Sequence, residues 1–450
     1  MDRTNISSKL GSNFWRLWSA NAISGLGSGV TAVAGPWIGS SLTRNPLLIA
    51  VLSFASQLPW LIFTLPAGVL TDRFNKKKIL ISMDLVRAAV TALFAIVIWN
   101  QRDALGDVRH PTQIVATNVF LVIMLFITLL ANGFATVLFD NTSQAFLPNV
   151  VEKEALATAN SRLWLANGVT ESLIGPPLAS LLIAIAVVVP FIFDATSFLV
   201  SALLILTLSQ LIQSKSEPVE RRSFKVELKE GLQWLWASKL MRTLAFTLGG
   251  LNFYASLAGA SFILFAQENL HTNVLQFGIL GTGAAAGGVA GSLISERIIK
   301  RFGEESCLVF VQIGMAVGTV LVGLASSWPI VWLLTMVETI MAIVWNTITV
   351  TFRQSVIPSN LLGRVNSVYR FFGWGFMPLG ALTGGAIVSI AEQLTTRDFA
   401  LRLPYFVAGA IGLLIYLLSR SQINGDAFNK ARDAAKTDRK STRLNSSHTV

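Results

Sequence analysis

Two glutamates, Glu171 and Glu338, stand alone within long hydrophobic stretches of this sequence. If those stretches cross a membrane, each carboxyl lies near the bilayer midplane, where a charged side chain costs about 2.5–3.5 kcal/mol. Burial favours the neutral form of a carboxyl, so such a group can take up and release a proton as its surroundings change. We therefore predict that Glu171 or Glu338 carries a proton. The alternative is a permanently neutral carboxyl that is hydrogen-bonded to a neighbouring helix.

Polar side chains recur at helical spacing around Glu338. Steps of three and four residues join Thr335, Glu338, Ala342, Trp345 and Thr349, with Asn346 adjacent. This spacing gives one polar and aromatic face on an otherwise apolar helix. Two other hydrophobic stretches carry similar small faces, formed by Asn21, Ser24 and Ser28 and by Asn252, Ser256 and Gly259.

The composition places these stretches in a membrane. Charged residues make up 13% of the 450 residues, against roughly 25% in soluble proteins. Hydrophobic residues make up 53%, and the mean hydropathy is +0.60. A soluble fold could not cover its surface with so little charge, and a disordered chain would contain far fewer apolar residues.

Stretches of the length needed to cross a bilayer, about 20 residues, recur along the whole chain. We predict an all-α membrane protein with twelve transmembrane helices in two six-helix bundles. The predicted spans are 14–40, 46–70, 79–99, 112–138, 162–187, 189–212, 241–267, 274–297, 305–325, 328–352, 364–390 and 399–420.

The basic residues predict the orientation of these spans. An even number of spans puts both termini on one side, and the loops on that side hold most of the 35 Lys and Arg. Arg87 lies inside span 3, and the opposite side holds the rest, namely Arg44, Arg102, Arg109, Arg397 and Arg402. The positive-inside rule therefore predicts that both termini are cytoplasmic. It also accounts for the net charge of +11 without a nucleic-acid partner.

A charged and then amphipathic connector divides the chain into two halves. We predict an N-terminal six-helix bundle at 1–212, a cytoplasmic interdomain loop at 213–240 and a C-terminal six-helix bundle at 241–420. A cytoplasmic tail follows at 421–450. Within it, residues 438–448 resemble the translation of a sequencing-library adapter, so we leave them out of the prediction.

The residues that several kinds of functional site require are missing from this sequence. The single cysteine, Cys307, excludes a disulfide framework, and the three histidines are scattered, so we expect no metal site. No nucleotide-binding P-loop is present, and the glycines of 281–291 lie inside a hydrophobic span with no preceding strand. We find no concentrated catalytic set at one depth, and we expect that the protein is not an enzyme.

The loop between predicted spans 2 and 3 carries a charged motif, Gly68-Val69-Leu70-Thr71-Asp72-Arg73-Phe74-Asn75-Lys76-Lys77-Lys78. Asp72 can accept hydrogen bonds from a helix N-terminus or pair with a cation, and Arg73 can pair across the loop. The motif resembles the G-x-L-x-D-R-x-G-R-K signature of the major facilitator superfamily, in which this loop latches two halves together. Asn75 replaces the second glycine, and we expect it to keep the turn because Asn tolerates left-handed backbone angles.

Weaker strings resemble the drug-exporter branch of this superfamily, which includes enterobactin and macrolide exporters. They are Phe14–Trp18, Ser24–Gly27, Met83–Arg87, Phe193–Ala202 and the segment from Pro358 to Arg370, which contains Arg364. The resemblance covers about residues 14–420. Ser28 departs from it, because relatives often carry an acidic residue at that position.

Three further features belong to this resemblance. Glu296 and Arg297 lie in a degenerate second copy of the loop motif, one half-chain later.

Asp84 and Arg87 lie three residues apart, so they can share a helix face, and we predict an ion pair tied to the latch. In span 5, Gly168, Gly175 and Pro176 resemble the antiporter motif G-P-x-x-G-G, which suits a gating interface; the alternative is ordinary packing of small residues.

The resemblance implies a secondary transporter that opens alternately to each side of the membrane. It implies that spans 1, 4, 7 and 10 line a central cavity, so the candidate lining residues are Asn21, Ser28, Asn252, Thr335, Trp345 and Asn346. We expect proton-coupled export of a small amphipathic compound (a drug, siderophore or metabolite) by a monomer in the inner membrane, with no cofactor beyond the proton gradient. The alternatives are a non-transporting receptor or scaffold, and an importer on the same fold.

Overall fold

The computed structural model describes residues 10–102, 105, 117–208, 224–358 and 361–434. The secondary structure in this part of the chain is helical, without a strand. The suspected adapter residues 438–448 and the first part of the predicted linker, 213–223, lie outside the described residues.

The first half contains six spans, two of which are interrupted. The helices are Gly11–Leu42 (span 1), Pro46–Ile62 and Thr64–Arg73 (span 2), Lys76–Asn100 (span 3), Val119–Phe146 (span 4), Leu156–Asn167, the π-helical Gly168–Ile174 and Gly175–Ile185 (span 5), and Val189–Leu206 (span 6). Short 3-10 turns at Leu147–Asn149 and Lys153–Ala155 connect spans 4 and 5.

The second half repeats this arrangement after a separate helix, Phe224–Ala237. Its helices are Lys239–Gly259 and Phe262–Glu268 (span 7), Val274–Phe302 (span 8), Glu304–Leu324 (span 9), Trp328–Val356 (span 10), Leu362–Gly375 and Met377–Ala391 (span 11), and Arg397–Ser419 (span 12). A short helix at 425–434 follows.

Each predicted span overlaps a helix or an interrupted helix, and the all-helical membrane class is confirmed. Nine of the described helices are long and apolar enough to cross a membrane, and two bent pairs raise that number to eleven. Span 1, Gly11–Leu42, is outside this set because its many Gly, Ser and Asn residues lower its hydropathy. The predicted count of twelve is therefore reached only when span 1 is included.

The interruptions lie at residues that weaken helical hydrogen bonding. Pro66 and Pro378 lie just after the breaks in spans 2 and 11, and proline has no N–H to continue the ladder. Span 7 bends by 40° at Ala260–Ser261, immediately after Gly259. Spans 2, 7 and 11 are thus each divided into two segments.

The two ends of the bundle differ in how the halves meet. We define the inner end by Leu10 and the span 2–3 loop, and the outer end by the span 1–2 and 11–12 loops. The buried apolar cluster around Phe14 at the inner end contains first-half residues alone, and the cluster around Tyr369 contains second-half residues alone. At the outer end, one cluster combines both halves, for example Trp37 with Leu264. The described interior is therefore shared between the halves at the outer end.

Candidate functional site

An ion-pair network joins the two halves at the outer end. Arg44, in the loop after span 1, forms an ion pair with Glu268 at the end of span 7. Glu268 also pairs with Arg397 at the start of span 12, with 2.5 Å between Arg397 Nε and Glu268 Oε2. Arg397 donates a 2.9 Å hydrogen bond back to the carbonyl oxygen of Arg44. One carboxylate thus ties together basic side chains from both halves.

Hydrogen bonds to uncharged groups extend this closure into the bundle. Gln267 accepts a 2.6 Å hydrogen bond from Arg44 and donates one of 2.9 Å to the Ser40 hydroxyl. Between span 5 and the start of span 8, the Ser180 hydroxyl donates to the carbonyl oxygen of Val274 at 2.8 Å. Because each bond crosses from one half to the other, opening the outer end requires breaking several of them together.

A second carboxyl lies at the rim of this network. Glu392, directly after span 11, pairs with Arg397 at 2.6 Å. Burial raises the pKa of the Glu392 carboxyl, and the positive charge of Arg397 opposes that effect. Arg397 therefore forms ion pairs with both Glu268 and Glu392.

We expect Glu268→Gln to loosen the outer closure, because Arg44 and Arg397 lose their shared carboxylate. A change of one or two kcal/mol shifts an equilibrium by roughly 5- to 30-fold. Ser40 is 0% exposed, so a Ser40→Cys thiol reports on opening. Its labelling by an impermeant maleimide added from outside should accelerate roughly 5- to 30-fold in the Glu268→Gln background.

The matched control for this experiment is Glu296→Gln, which removes an exposed pair with Lys300 far from the outer end. It should leave the labelling rate of the Ser40→Cys thiol unchanged. Equal rates with Glu268→Gln and with Glu296→Gln would contradict a gating role for the network.

The antiporter-like residues lie where span 5 crosses other spans. A Cβ on Gly175 would stand 2.7 Å from Cα of Gly29 in span 1. The carbonyl oxygen of Pro176 would stand 2.6 Å from a Cβ on Gly278 in span 8. Gly168 has nothing within 4 Å of its Cβ position. Gly175 and Gly278 therefore allow span 5 to approach one helix of each half closely, and Pro176 lies at the second of these contacts.

Toward the inner end the halves separate around a cleft of about 280 Å³. Trp60 and Trp374 meet edge to face at its outer limit, with ring centroids 5.4 Å apart. Arg370 lies over Trp374, 4.5 Å from its ring centroid. The remaining walls, from spans 2, 4 and 11, are formed by Leu61, Thr64, Gly68, Val69, Asp72, Asn141, Ser367, Phe371 and Gly375. The cleft thus combines aromatic rings with one acidic and one basic side chain.

The latch residues of the span 2–3 loop do not reach the second half. Asp72 and Arg73 are exposed, and neither has an ion pair within the described ranges. Lys77 donates hydrogen bonds of 2.9 and 2.8 Å to the carbonyl oxygens of Leu206 and Leu208, at the end of span 6. The loop is therefore fastened to its own half.

Asn75 keeps the loop turn in a different way from the one predicted. Its φ is −64°, so the backbone is not left-handed. Its side chain instead accepts a 3.1 Å hydrogen bond from the Lys78 N–H and caps the start of span 3. The left-handed expectation is wrong because N-cap geometry satisfies an otherwise unpaired helix donor with extended backbone.

The second-half counterparts have partners of their own. Arg364 pairs with Glu230 of helix Phe224–Ala237 at 2.5 Å. Glu296 pairs with Lys300 at 2.6 Å, both largely exposed, and Arg297 is exposed beside them. The structure therefore does not bring Arg364, Glu296 or Arg297 together with the span 2–3 loop.

Asp84 and Arg87 form an ion pair inside the first half. The Ser201 hydroxyl of span 6 donates to Asp84 at 2.6 Å. The Arg87 guanidinium lies between two rings, 4.3 Å from the centroid of Phe139 and 4.3 Å from that of Phe198. These contacts tie the pair to spans 4 and 6 rather than to the loop.

Glu171 lies in the π-helical segment Gly168–Ile174 of span 5. Such irregular turns are frequent at functional sites. The backbone oxygen of Glu171 would stand 2.3 Å from a Cβ on Gly29, so span 1 packs directly against this segment. The described residues offer its carboxyl neither a hydrogen bond nor an ion pair.

Asp140 of span 4 is a further membrane-embedded carboxyl, which the sequence analysis missed. The predicted span 4 ends at residue 138, whereas the helix continues to Phe146. Asp140 is half-buried and lies within electrostatic range of Glu171 and Arg87. The available signal was the absence of Gly or Pro between Asp140 and Pro148.

Glu338 points from span 10 toward span 9. The Thr319 hydroxyl donates to Glu338 Oε1 at 3.1 Å. A Cβ on Gly318 would stand 2.8 Å from the same oxygen, so this glycine leaves room for the carboxyl. Glu338 therefore lies between helices of the second half.

The polar face of span 10 divides between two environments. Trp345 is 2% exposed within the core of the second half, whereas Asn346 is exposed and Thr335 is half-buried. All three were predicted to line the central cavity. Trp345 differs because Val344 and Ile348 beside it belong to the same apolar core.

Two of the other candidate lining residues, Asn21 and Asn252, make contacts between helices. Asn21 donates to the carbonyl oxygen of Leu17 at 2.9 Å and accepts from Ser143 of span 4. Asn252 donates to the carbonyl oxygen of Gly373 in span 11 at 2.8 Å. Ser28 is half-buried.

Comparison with known proteins gives a family and several relatives. The model of a family described as transmembrane secretion effector matches residues 8–440 of the chain. The multidrug efflux pump Tap of Mycobacterium tuberculosis (strain ATCC 25618 / H37Rv) is 24% identical over 406 residues, covering 88% of this chain and 91% of that protein. Macrolide efflux protein A of Streptococcus pyogenes is 31% identical over 84 residues, covering 19% of this chain and 21% of that protein.

Solved structures share the fold at low sequence identity. The nucleoside transporter NupG superposes with a TM-score of 0.71 at 12% identity, covering 91% of this chain and 98% of that one. A bacterial homologue of the human lysosomal transporter Spinster, in an inward-facing and unoccupied conformation, gives 0.70 at 13% identity, covering 96% and 99%. At these identities the likeness concerns the fold.

Proposed function

The chain belongs to the transmembrane secretion effector family of major facilitator transporters, and we propose that it exports a small amphipathic compound in exchange for protons. The protein would do this by alternating access, in which two bundles rock around a shared cavity.

The observation that supports this proposal best is the unequal contact between the halves at the two ends. At the outer end, Arg44, Glu268 and Arg397 and a shared apolar cluster join the halves. Toward the inner end, a cleft of about 280 Å³ lies between spans 2, 4 and 11. This is the arrangement expected of a transporter that receives its substrate from the inner side.

The span 2–3 loop supplies the means of closing the inner end. Asp72 and Arg370 line the same cleft from opposite halves. When the inner ends approach, Asp72 can pair with Arg370 in a partly desolvated site, where such pairs are stronger than at an open surface. The loop at 68–78 would then stabilise the outward-facing state.

Protons supply the energy in this proposal through membrane-embedded carboxyls. Glu171 and Asp140 lie within electrostatic range of each other in the first half, and Glu338 lies in the second. Each alternates between the neutral and charged forms as its access to water changes. We place the proton-carrying role on Glu171 or Glu338, with Asp140 as a neighbour that acts on Glu171.

The cleft supports an amphipathic substrate. Trp60 and Trp374 offer aromatic surface, while Asp72 and Arg370 offer opposite charges beside them. The names of the relatives, a multidrug efflux pump and a macrolide efflux protein, agree with export of drug-sized molecules.

The charge distribution supports an orientation. We place the protein in the inner membrane as a monomer, with its inner end and both termini in the cytoplasm. Most of its Lys and Arg lie in the inner loops, as the positive-inside rule requires.

Inside-out vesicles from cells that overproduce the protein test this function. Respiration acidifies the vesicle lumen, and a compound exchanged for protons releases them, which a pH-sensitive dye records. Erythromycin, tetracycline and ethidium are added in turn. We expect a response to at least one with the wild type and a much smaller one with Asp72→Asn. If none produces more proton release than control vesicles do, the chain does not exchange these compounds for protons.

A further inference from the structure

A polar cluster lies inside the second half, apart from the cleft between spans 2, 4 and 11. It consists of Glu338 of span 10, Thr319 of span 9, Tyr254 of span 7 and Tyr405 of span 12. The two tyrosines are 1% and 4% exposed. Neither hydroxyl has a hydrogen-bond partner among the described residues.

Two such hydroxyls in one helix bundle require an explanation. A buried polar group without a partner costs about 1–3 kcal/mol. Tyr369, also buried in the second half, shows the usual solution, since its hydroxyl donates to the carbonyl oxygen of Leu244 at 3.2 Å. Tyr254 and Tyr405 lack such a bond, yet both lie within electrostatic range of the Glu338 carboxyl.

Glycines on spans 9 and 12 make room for these three side chains. A Cβ on Gly318 would stand 2.8 Å from Glu338 Oε1. A Cβ on Gly323 would stand 2.7 Å from the Cβ of Tyr405, and one on Gly412 would stand 3.2 Å from Cε1 of Tyr254. Glu338, Tyr254 and Tyr405 thus each pack closely against a glycine position.

We propose that Glu338, Thr319, Tyr254 and Tyr405 form a proton site within the second half, in which the tyrosine hydroxyls donate hydrogen bonds to the Glu338 carboxylate after its proton has left. Among the residues that the structure describes, Thr319 is the one that donates a hydrogen bond to the carboxyl. When the O–H bond of the acid breaks, the proton passes to water on one side of the membrane. The tyrosines keep their own protons and act as donors.

The surroundings of Glu338 favour this division of roles. The polar groups near it belong to three helices. Thr319 of span 9 donates to it, and Tyr254 of span 7 and Tyr405 of span 12 lie within its electrostatic range. Hydrogen bonds to a carboxylate stabilise its charged form. Without the tyrosines, the carboxylate would keep one hydroxyl donor in an apolar interior. The inference rests on the proposed proton-coupled function and names the residues that hold the deprotonated form.

Infrared difference spectroscopy of the reconstituted protein tests the site without a substrate. Spectra in acidic and alkaline buffers show the carbonyl stretch of protonated carboxyls, and its loss in Glu338→Gln assigns the Glu338 band. In Tyr254→Phe/Tyr405→Phe, we expect the pH at which half of this band is lost to rise by about one unit, since two lost donors cost about 1.4 kcal/mol or more. Each single phenylalanine variant should give part of that rise.

Tyr369→Phe is the matched control, because it removes a buried hydroxyl whose partner is Leu244. It should leave the Glu338 band unchanged. An unchanged midpoint in the double variant, or an equal rise in Tyr369→Phe, would overturn the proposed site. If Glu338→Gln removes no band, Glu338 does not titrate and the site is likewise excluded.

The outcome separates this site from the proposed function. Proton release in inside-out vesicles together with an unchanged band midpoint excludes the tyrosine site and leaves the exporter proposal standing. Absence of proton release together with a shifted band midpoint supports the tyrosine site and counts against the exporter proposal.

Discussion

Replacing Arg87 with leucine is expected to lower the free energy of unfolding by about 3–5 kcal/mol, because Asp84 remains as an uncompensated buried charge. The two side chains are 3% and 0% exposed. After the substitution, Ser201 is the donor that still reaches Asp84, at 2.6 Å. The guanidinium also leaves its place between Phe139 and Phe198.

Thermal unfolding in detergent, followed by tryptophan fluorescence, measures this loss. Arg73→Leu is the matched control, because Arg73 is exposed and a surface substitution usually changes stability by about 0.5 kcal/mol or less. The double variant Asp84→Leu/Arg87→Leu should regain much of the stability, since an apolar pair often replaces a buried ion pair without loss. Equal unfolding temperatures of Arg87→Leu and Arg73→Leu would show that the Asp84–Arg87 pair does not stabilise the bundle.

Glu171→Gln or Glu338→Gln is expected to reduce proton-driven transport at least about tenfold, the effect of about 1.4 kcal/mol or more on a coupled step. Glutamine keeps the size and polarity of the side chain but cannot release a proton. Exchange of labelled substrate across the membrane without a pH gradient should continue, because binding and rocking need no net proton movement. The substrate in this measurement is the compound that causes proton release in the vesicle experiment.

The control for this pair is Glu154→Gln, which changes an exposed glutamate in the connection between spans 4 and 5. It should retain both proton-driven transport and exchange. Unchanged proton coupling in both Glu171→Gln and Glu338→Gln would exclude these two residues as proton carriers.

The helices could be predicted from the sequence because each is a long apolar run between polar loops. Errors occurred where a polar residue continues a helix. Asp140 and Asn141 follow an apolar run and resemble a loop, but the helix extends to Phe146. A carboxyl near the inner end of span 4 was missed for that reason.

Contacts between distant residues could not be predicted. Arg44 lies in the loop after span 1, Glu268 at the end of span 7 and Arg397 at the start of span 12. The three are far apart in the chain, and each alone resembles an ordinary charge at the end of a span. The environment of Glu338 was equally hidden, since helical spacing places a residue on a face without showing which neighbour that face meets. The glycine at 318 and the hydroxyl of Thr319 decide that contact.

Alternating access requires that the two halves close at one end as they open at the other. Distances between spin labels, measured by electron paramagnetic resonance in nanodiscs, test this directly. The outer pair is Leu47→Cys with Leu394→Cys, which are 41% and 79% exposed, and the inner pair is Phe74→Cys with Ser367→Cys, both exposed. As the pH is changed, we expect the outer distance to lengthen while the inner distance shortens. Distances that stay fixed at every pH, or that lengthen and shorten together, would contradict an alternating-access transporter driven by protons.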